Sequence, residues 1–340
     1  MDRTVALIIP VFNAEQDIPA LFAGIMQQTL QPDTILIIDS SSTDKTTSVI
    51  ARSVLCDEAI QKNLITSGLL RPQKARARND GQNVVIHTIP QHEFDHAGTR
   101  RLATELINAD VYIFMTQDAY PAHPDTFEKL IKNLFLEEKI GCAYGRQLPK
   151  PEANPLSIHG RLFNYPEMSQ TKYFSDKKKL GIKTCFNSDN LAAYKKEALQ
   201  TVGGFPQKLL TGEDAYVAAK LLLQDYAIRY VADACIYHSH NLSIKQEFHR
   251  YFSIGVFHRQ ENWIIKEFNA ADSEGLRFIY SEIRFLLKNK NYFWIPRAMI
   301  STVVKWIAYK LGFYESFIPV AIKKSLGINP AFWSKKEAKQ

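Results

Sequence analysis

VYIFMTQDAYP, residues 111–121, is the stretch that decides the fold. Its apolar run, Val111 to Met115, stops abruptly at Thr116, Gln117 and Asp118, and Pro121 keeps regular structure from resuming at once. A run that short and that apolar predicts a buried strand in a sheet covered on both faces. Such a strand delivers its last side chains to the edge where open α/β sheets bind ligands. Asp118 then has two readings. Either it caps the turn or helix that follows, or it is a rim carboxylate that holds a divalent cation against a phosphate.

The preceding segments supply more of such a sheet. VALIIP (5–10) predicts a first buried strand, with Val11, Phe12 and Asn13 in the loop at its carboxyl end. Ile18, Leu21, Phe22, Ile25 and Met26 recur at helical spacing. TILIID (34–39) predicts a second strand, and the polar cluster Ser40-Ser41-Ser42-Thr43-Asp44 caps a helix running through Thr47 and Ile50. Strand, helix, strand, helix in that order implies a right-handed parallel unit with a crevice at the strand ends. Arg71, Lys74, Arg76 and Arg78 crowd a less regular segment that reads as a solvated basic loop or an anion site. NVVIHTI (83–89) predicts a third strand, and Phe94-Asp95-His96-Ala97-Gly98-Thr99-Arg100 opens a helix. Gly98 allows close backbone approach, and Arg100, in the first turn facing the crevice, can hold a diphosphate through paired hydrogen bonds.

After the central strand the pattern predicts a helix over 124–138 and a strand over 140–144. Residues 146–190 read as loop-rich and aromatic, with Arg146, Arg161, Asn164, Tyr165, Lys172 and Lys183. SDNLAAY (188–194) predicts a strand approaching the site, and Glu213 and Asp214 begin an apolar helix over 215–223. These two acids either cap that helix, where its dipole favours them, or provide a general base. Residues 227–231 and 234–237 predict two further strands, and His238-Ser239-His240-Asn241 leaves the second. Two histidines beside an asparagine at a strand end are placed to meet a metal or a phosphate. From Ile244 onward the pattern is helical and aromatic. Over 300–324, apolar positions including Trp306, Phe313, Phe317 and Ile318 alternate with Lys305, Lys310, Lys323 and Lys324. That segment is either a helix packed on the main domain or a basic, aromatic element on an anionic membrane surface.

Composition excludes several classes. With 340 residues, 46% hydrophobic and 23% charged, the chain can bury a large core. Four cysteines at 56, 142, 185 and 235 form no CxxC pair, which argues against a zinc knuckle or a disulfide scaffold and suits a reducing compartment. The start, MDRTVALIIPVFN, does not read as a signal peptide, and no apolar run is long enough to predict a membrane-spanning helix. Net charge of +7 and a pI near 9.0 allow polyanionic partners without choosing among them. The basic residues are scattered without a recognition motif, so no nucleic-acid partner is expected. The first strand is followed by no glycine-rich, lysine-bearing phosphate loop, which counts against a nucleotidyltransferase.

Taken together, PVFN (10–13), IDSSSTD (38–44), the Gly98-Thr99-Arg100 helix, TQDA (116–119), GED (212–214) and His238 resemble the family 2 inverting glycosyltransferases of GT-A fold over about residues 4–241. FDHAGTR, FMTQDAYP, AYGRQLP, FNYP, LGIKT, ADACIYHSHN, QEF and RYFSIGVFH resemble the rhamnosyltransferase branch, which builds O-antigens and similar bacterial polysaccharides. This closer likeness runs on into the C-terminal region.

The resemblance implies a Rossmann-like mixed α/β sheet flanked by helices. The catalytic domain would be 1–241, with a nucleotide-binding half of about 1–120 and an acceptor half of about 121–241. A helical C-terminal region, 242–340, would follow at the membrane surface. The implied donor is dTDP-β-L-rhamnose and the implied acceptor a lipid-linked saccharide on the cytoplasmic leaflet. Donor contacts are expected at Pro10, Phe12, Asn13, Asp39, Ser41, Gly98, Arg100, Gln117 and Asp118. Mg²⁺ or Mn²⁺ is expected on Asp118 and His238. Asp214 matches the general base, with Glu213 the second candidate, and Arg146, Tyr165 and Asn190 fall in the segment expected to form the acceptor wall. Thr116 stands where the family usually has the first acid of its metal motif, and Ser40 replaces the second acid of the Asp39 pair. These departures leave open a UDP-sugar-dependent transferase, or a non-catalytic polysaccharide- or membrane-binding protein with a degenerate transferase domain.

Overall fold

A computed structural model describes residues 3–54, 83–269 and 274–337; Cys56 and the basic run Arg71, Lys74, Arg76 and Arg78 lie outside the described residues. Strands β1 (Val5–Val11), β2 (Thr34–Asp39), β3 (Asn83–Thr88) and β4 (Val111–Met115) are parallel, in the spatial order β3-β2-β1-β4. Helices α1 (Ile18–Met26), α2 (Thr46–Val54) and α3 (His96–Leu106) lie in the connections. The two-residue period of a strand sorts side chains between two cores. In β1, Ala6 and Ile8 face one core while Val5, Leu7, Ile9 and Val11 face the other. In β4, Tyr112 and Phe114 oppose Val111, Ile113 and Met115, and every residue of the strand is buried. Burial on both faces is why its sequence shows no polar alternation.

Five more strands complete a nine-stranded sheet: β5 (Tyr120–Pro121), β6 (Ile140–Leu148), β7 (Gln170–Lys172), β8 (Leu191–Lys195) and β9 (Ala227–Tyr237). β8 is antiparallel to β4, and β6 is antiparallel to β8, so β6 points the same way as β4. β9 is parallel to β6. The carboxyl ends of β4, β6 and β9 and the amino end of the reversed β8 therefore meet at one edge. That edge carries the site. The sheet is the mixed one expected from the sequence, and its crevice side gathers residues far apart in the chain.

Two local expectations are corrected. The segment 146–190 is not simply loop: after α4 (Thr126–Leu134) it holds α5 (Pro155–Asn164), whose Asn154 side chain accepts from the Ser157 N–H and whose Pro155 occupies the first turn. The Asn-Pro pair is a helix-start signal that the weak apolar period after it obscured. The two strands expected at 227–231 and 234–237 are one strand, β9. Asp233 interrupts the apolar pattern because it is exposed beside a register shift against Gly145 and Arg146.

After α6 (Glu213–Leu223) and β9 the chain becomes helical, with α7 (Ile244–Gln260), α8 (Glu274–Lys288) and α9 (Ile295–Phe313). α7 and α9 cross at backbone contact. A Cβ on Gly312 would lie 2.0 Å from the Phe252 carbonyl oxygen, and one on Gly255 would lie 2.2 Å from that of Tyr309. Small side chains thus face inward on α9, namely Ala298, Ser301 and Ala308 beside Gly312. Its large apolar side chains, Met299, Ile300, Val303, Trp306, Ile307 and Leu311, are exposed. Among the described residues no helix is long and apolar enough to cross a membrane.

Candidate active site

At the carboxyl end of β4, Asp118 meets two histidines from the end of β9. Asp118 Oδ2 lies 3.3 Å from His238 Nε2 and 3.2 Å from His240 Nε2. Burial pushes both imidazoles down, His240 to about 4, so both are neutral at pH 7. His238 Nδ1 is 2.9 Å from Gln147 Oε1, an atom that can only accept, so Nδ1 carries the ring proton. Nε2 is then the lone-pair nitrogen, and the Asn190 amide nitrogen lies 2.7 Å from Nδ1 and 2.8 Å from Nε2. The same Gln147 oxygen accepts from Arg161 Nη1 at 2.7 Å, and Gln147 Nε2 donates to Ser188 Oγ at 2.7 Å. Gln147 is 2% exposed and holds the His238 ring in one tautomer and one orientation. Ligand atoms of Asp118, His238 and His240 all lie within 4.8 Å of one another. One carboxylate and two neutral imidazoles make a donor set that fits a divalent cation.

A second group surrounds Arg100. Its Nε is 2.8 Å from Asp189 Oδ2 and its Nη1 is 2.8 Å from Glu213 Oε1, with all three side chains buried. The Tyr194 hydroxyl donates to the other Asp189 oxygen at 2.6 Å. Asp214, next to Glu213, is half-buried and, among the described residues, accepts only from the Ala215 N–H at 2.7 Å. Three carboxylates thus share one guanidinium, and the sharing is unequal. For Glu213, burial opposes the charge but Arg100 and His96 outweigh it, and the carboxyl stays below its usual value. For Asp214, burial and then the Glu213 and Asp189 charges push the carboxyl up to about 8. A carboxylate with raised proton affinity, not consumed by an ion pair, is the form a general base takes.

The loops after β1, β2 and β4 are stapled together. Phe12 N–H donates to Gln117 Oε1 at 2.7 Å, and Gln117 Nε2 donates to the Phe12 carbonyl at 3.1 Å. Asn13, at φ +48, accepts from Thr43 N–H at 2.9 Å. Asp39 is 2% exposed and accepts from the Ser42 hydroxyl at 2.5 Å, and Ser41 donates to the Ile89 carbonyl at 2.8 Å. Pro10 pairs in register with Ile38. Gly98 lines a cavity of about 440 Å³ beside Ile89 and Thr99. A Cβ on Gly98 would lie 2.6 Å from Asp95 Oδ2, so the glycine is needed where Asp95 caps α3.

Four expected residues have other partners. Arg100, expected to hold a diphosphate, has its guanidinium occupied by Asp189 and Glu213 and is 3% exposed. Tyr165, expected on the acceptor wall, is 4% exposed, its ring packed on Phe186 and Tyr230. Asn190, placed on the same wall, touches His238 instead. Arg146 pairs with Glu167 at 3.2 Å. Asp189 and Gln147 were not singled out from the sequence. Asp189 carried a faint signal, an acid between Ser188 and Asn190 just before an apolar strand. Gln147 carried none beyond its place in AYGRQLP.

A mixed sheet whose ligand edge carries a carboxylate–imidazole group and a carboxylate of raised proton affinity suits an enzyme that binds its ligand at the strand ends and works by general-base chemistry. A family description, "Glycosyl transferase family 2", matches residues 6–203, and the chain belongs to that family. It is 38% identical over 331 residues to the O-antigen chain rhamnosyltransferase RfbN of Salmonella typhimurium, covering 97% of this chain and 96% of that one. It is 37% identical over 330 residues to the O-antigen chain rhamnosyltransferase WbaN of Salmonella anatum, covering 96% and 95%. Among solved structures, the mannosyltransferase PcManGT from Pyrobaculum calidifontis, in complex with GDP-Man and Mn²⁺, has a TM-score of 0.61 at 17% identity, covering 93% of this chain and 88% of that one. S. aureus TarS 1-349 in complex with UDP has a TM-score of 0.50 at 13% identity, covering 92% and 91%. These two likenesses are of fold.

Proposed function

We propose that this chain transfers L-rhamnose from dTDP-β-L-rhamnose, with inversion, to a hydroxyl of a lipid-linked saccharide in the synthesis of an O-antigen-type surface polysaccharide. The observation that carries the transfer is the charge imbalance at Arg100, which leaves Asp214 without an ion pair among the described residues and pushed up to about 8. The choice of sugar is supported by the names of the two relatives that match over nearly the whole chain.

In this scheme an acceptor oxygen bonds to the anomeric carbon while the bond from that carbon to the diphosphate breaks on the opposite face. The bonding pair leaves with the diphosphate, and Asp214 takes the acceptor proton. Glu213 is the weaker candidate because Arg100 holds it as an ion pair. Arg100 is assigned a positioning role: paired with Asp189 and Glu213, it holds both and so positions Asp214. Asp118, His238 and His240 would hold a divalent cation, which when bound supplies positive charge to the departing diphosphate. Two imidazoles in the set favour a transition-metal ion over Mg²⁺, and the mannosyltransferase of similar fold is described with Mn²⁺. The nucleotide is assigned to the ends of β1 and β2 and the stapled loops after them, with Pro10, Phe12, Asn13, Asp39, Ser41 and Gln117, and Gly98 at the adjoining cavity.

Residues 1–241 form the catalytic unit in this proposal, and 242–340 carry it to the cytoplasmic face of an anionic membrane. From Arg284 to Leu326 the sequence holds eight Lys and Arg and a single acid, Glu315, which is buried against Lys323. Beside them stands the exposed apolar side of α9. A second copy of the chain would bring like charges together, whereas anionic headgroups complement them.

The test is a thermal-shift panel of dTDP, UDP and GDP with and without Mn²⁺, followed by turnover of dTDP-rhamnose. Stabilisation by dTDP alone supports the rhamnosyl donor. Stabilisation by UDP keeps a family 2 transferase and discards the sugar. Silence with every nucleotide leaves a saccharide-binding protein.

A further inference from the structure

A cleft of about 210 Å³ opens beside His240, between α5, α7, α8 and α9. Gly160, in the interior of α5, lines it. A glycine inside a helix lowers stability relative to alanine, so it calls for a reason. Folding provides none here: Gly160 has no positive φ, and an added Cβ would meet nothing within 4 Å. Gly255 and Gly312, by contrast, are needed for a helix crossing. What Gly160 does keep is empty space on the cleft side.

The chemistry of the walls suits a sugar ring. Tyr251 and Phe278 line the cleft with aromatic surface, and Lys305 Nζ lies 5.5 Å and 5.9 Å from their ring centroids, a mix of apolar surface and donor that matches the C–H and hydroxyl faces of a pyranose. Glu282 is 3% exposed, yet its one ion pair among the described residues, to His159 Nδ1, spans 3.8 Å. A buried carboxylate so weakly partnered is matched by hydroxyl donors. Arg250 at the rim is exposed and has no carboxylate partner among the described residues. A chain of residues leads from the cleft toward the base. Ile254 lines it, and three residues on, about 4.5 Å along α7, the Phe257 ring would lie 2.8 Å from a Cβ on Gly212, two residues before Asp214.

We infer that this cleft is a subsite for one pyranose ring of the acceptor glycan, kept open by Gly160. The inference rests on the transferase function proposed above. Methyl pyranosides of the gluco, galacto, manno and rhamno series serve as probes, read by saturation-transfer NMR together with dTDP. In the wild-type chain at least one pyranoside should show ring-proton transfer. Gly160→Leu, which fills the cleft from a helix that tolerates the side chain, should cut that transfer by about tenfold or more and leave the dTDP signals intact. Gly160→Ala should melt above the wild type, showing that the position does not require glycine for folding. Undiminished pyranoside transfer in Gly160→Leu overturns the subsite, and so does a wild-type chain that binds dTDP but no pyranoside. Loss of dTDP binding in the wild type would instead remove the donor reading, and the subsite with it.

Discussion

Glu213 Oε1 sits 2.8 Å from Arg100 Nη1, while Asp214, the next residue, has no cation partner among the described residues. Adjacent positions in the first turn of α6 point in different directions, so one acid enters the buried ion pair and the other remains free. Asp189 completes the arrangement from the far side of Arg100. Its charge, with that of Glu213, is what makes the proton on Asp214 hard to remove. Removing either paired acid and removing the free one should therefore have different consequences.

Asp214→Asn should lower kcat by about two to four orders of magnitude, the usual worth of a general base, while dTDP still raises the melting temperature. Glu213→Gln should act on folding instead. It leaves a buried guanidinium short of a partner, a change that costs about 3–5 kcal/mol when one side of a buried pair is removed. Steady-state kinetics and thermal melts of both variants separate the roles. Near-normal turnover by Asp214→Asn would falsify the assignment.

Rate and stability should move in opposite directions with pH. A base must be unprotonated, so kcat/KM should rise by about tenfold per pH unit below its pKa and level off near the Asp214 value of about 8. For stability, the folded Asp214 keeps its proton above the pH at which the unfolded chain has lost it, so the folded state binds more protons over that interval. Stability therefore falls as pH rises from the ordinary carboxylate value of 3.8 to about 8, and the loss is complete above it. Asp214→Asn should flatten the rate profile and weaken the fall in melting temperature across the same window. A rate profile unchanged in shape in that variant would assign the titration elsewhere.

Mn²⁺ should stabilise the wild type in the presence of dTDP. A ligand at 100 times its Kd adds about 2.7 kcal/mol, readily seen as a shift in melting temperature. His240→Ala and Asp118→Asn each remove one of the three donors and should lose most of that shift. Gln147→Leu should weaken it as well, because the carbonyl that fixes the His238 tautomer is gone. An equal Mn²⁺ shift in Asp118→Asn would place the cation outside this group.

The parallel half of the sheet was legible because burial on both faces writes itself into sequence as short apolar runs, as in Val111–Met115 and Thr34–Asp39. The positions of Asp118, His238 and Asp214 at strand and helix ends were legible too, since polar residues there stand out against such runs. The partnership of Arg100 was not. A first-turn arginine facing a crevice reads as a phosphate ligand, and only the reversal of β8 brings Asp189 to its other side. Tyr165 misled for a related reason: an aromatic in an irregular segment reads as a surface, but α5 turns it into the core. Gln147 left no trace because one buried glutamine at the end of a strand has no periodic signature.

Membrane binding should depend on the outward side of α9 and the turn after it. Trp306 is 63% exposed and Phe317 is 83% exposed, far more than large aromatics need be in a helix packed only against its own domain. Arg284, Lys288, Lys290 and Lys310 are exposed in the same region, so apolar insertion and headgroup attraction should act together. In flotation with vesicles of phosphatidylglycerol and phosphatidylethanolamine, the wild type should rise with the lipid. Trp306→Asp with Phe317→Asp should stay behind while keeping the wild-type melting temperature, because neither side chain belongs to the core. Each basic residue near an anionic surface contributes about 1 kcal/mol, screened by salt, so raising ionic strength should weaken the wild type in steps without abolishing the apolar part. Equal flotation on purely zwitterionic vesicles would remove the electrostatic half of this account, and equal flotation of the double variant would remove the apolar half.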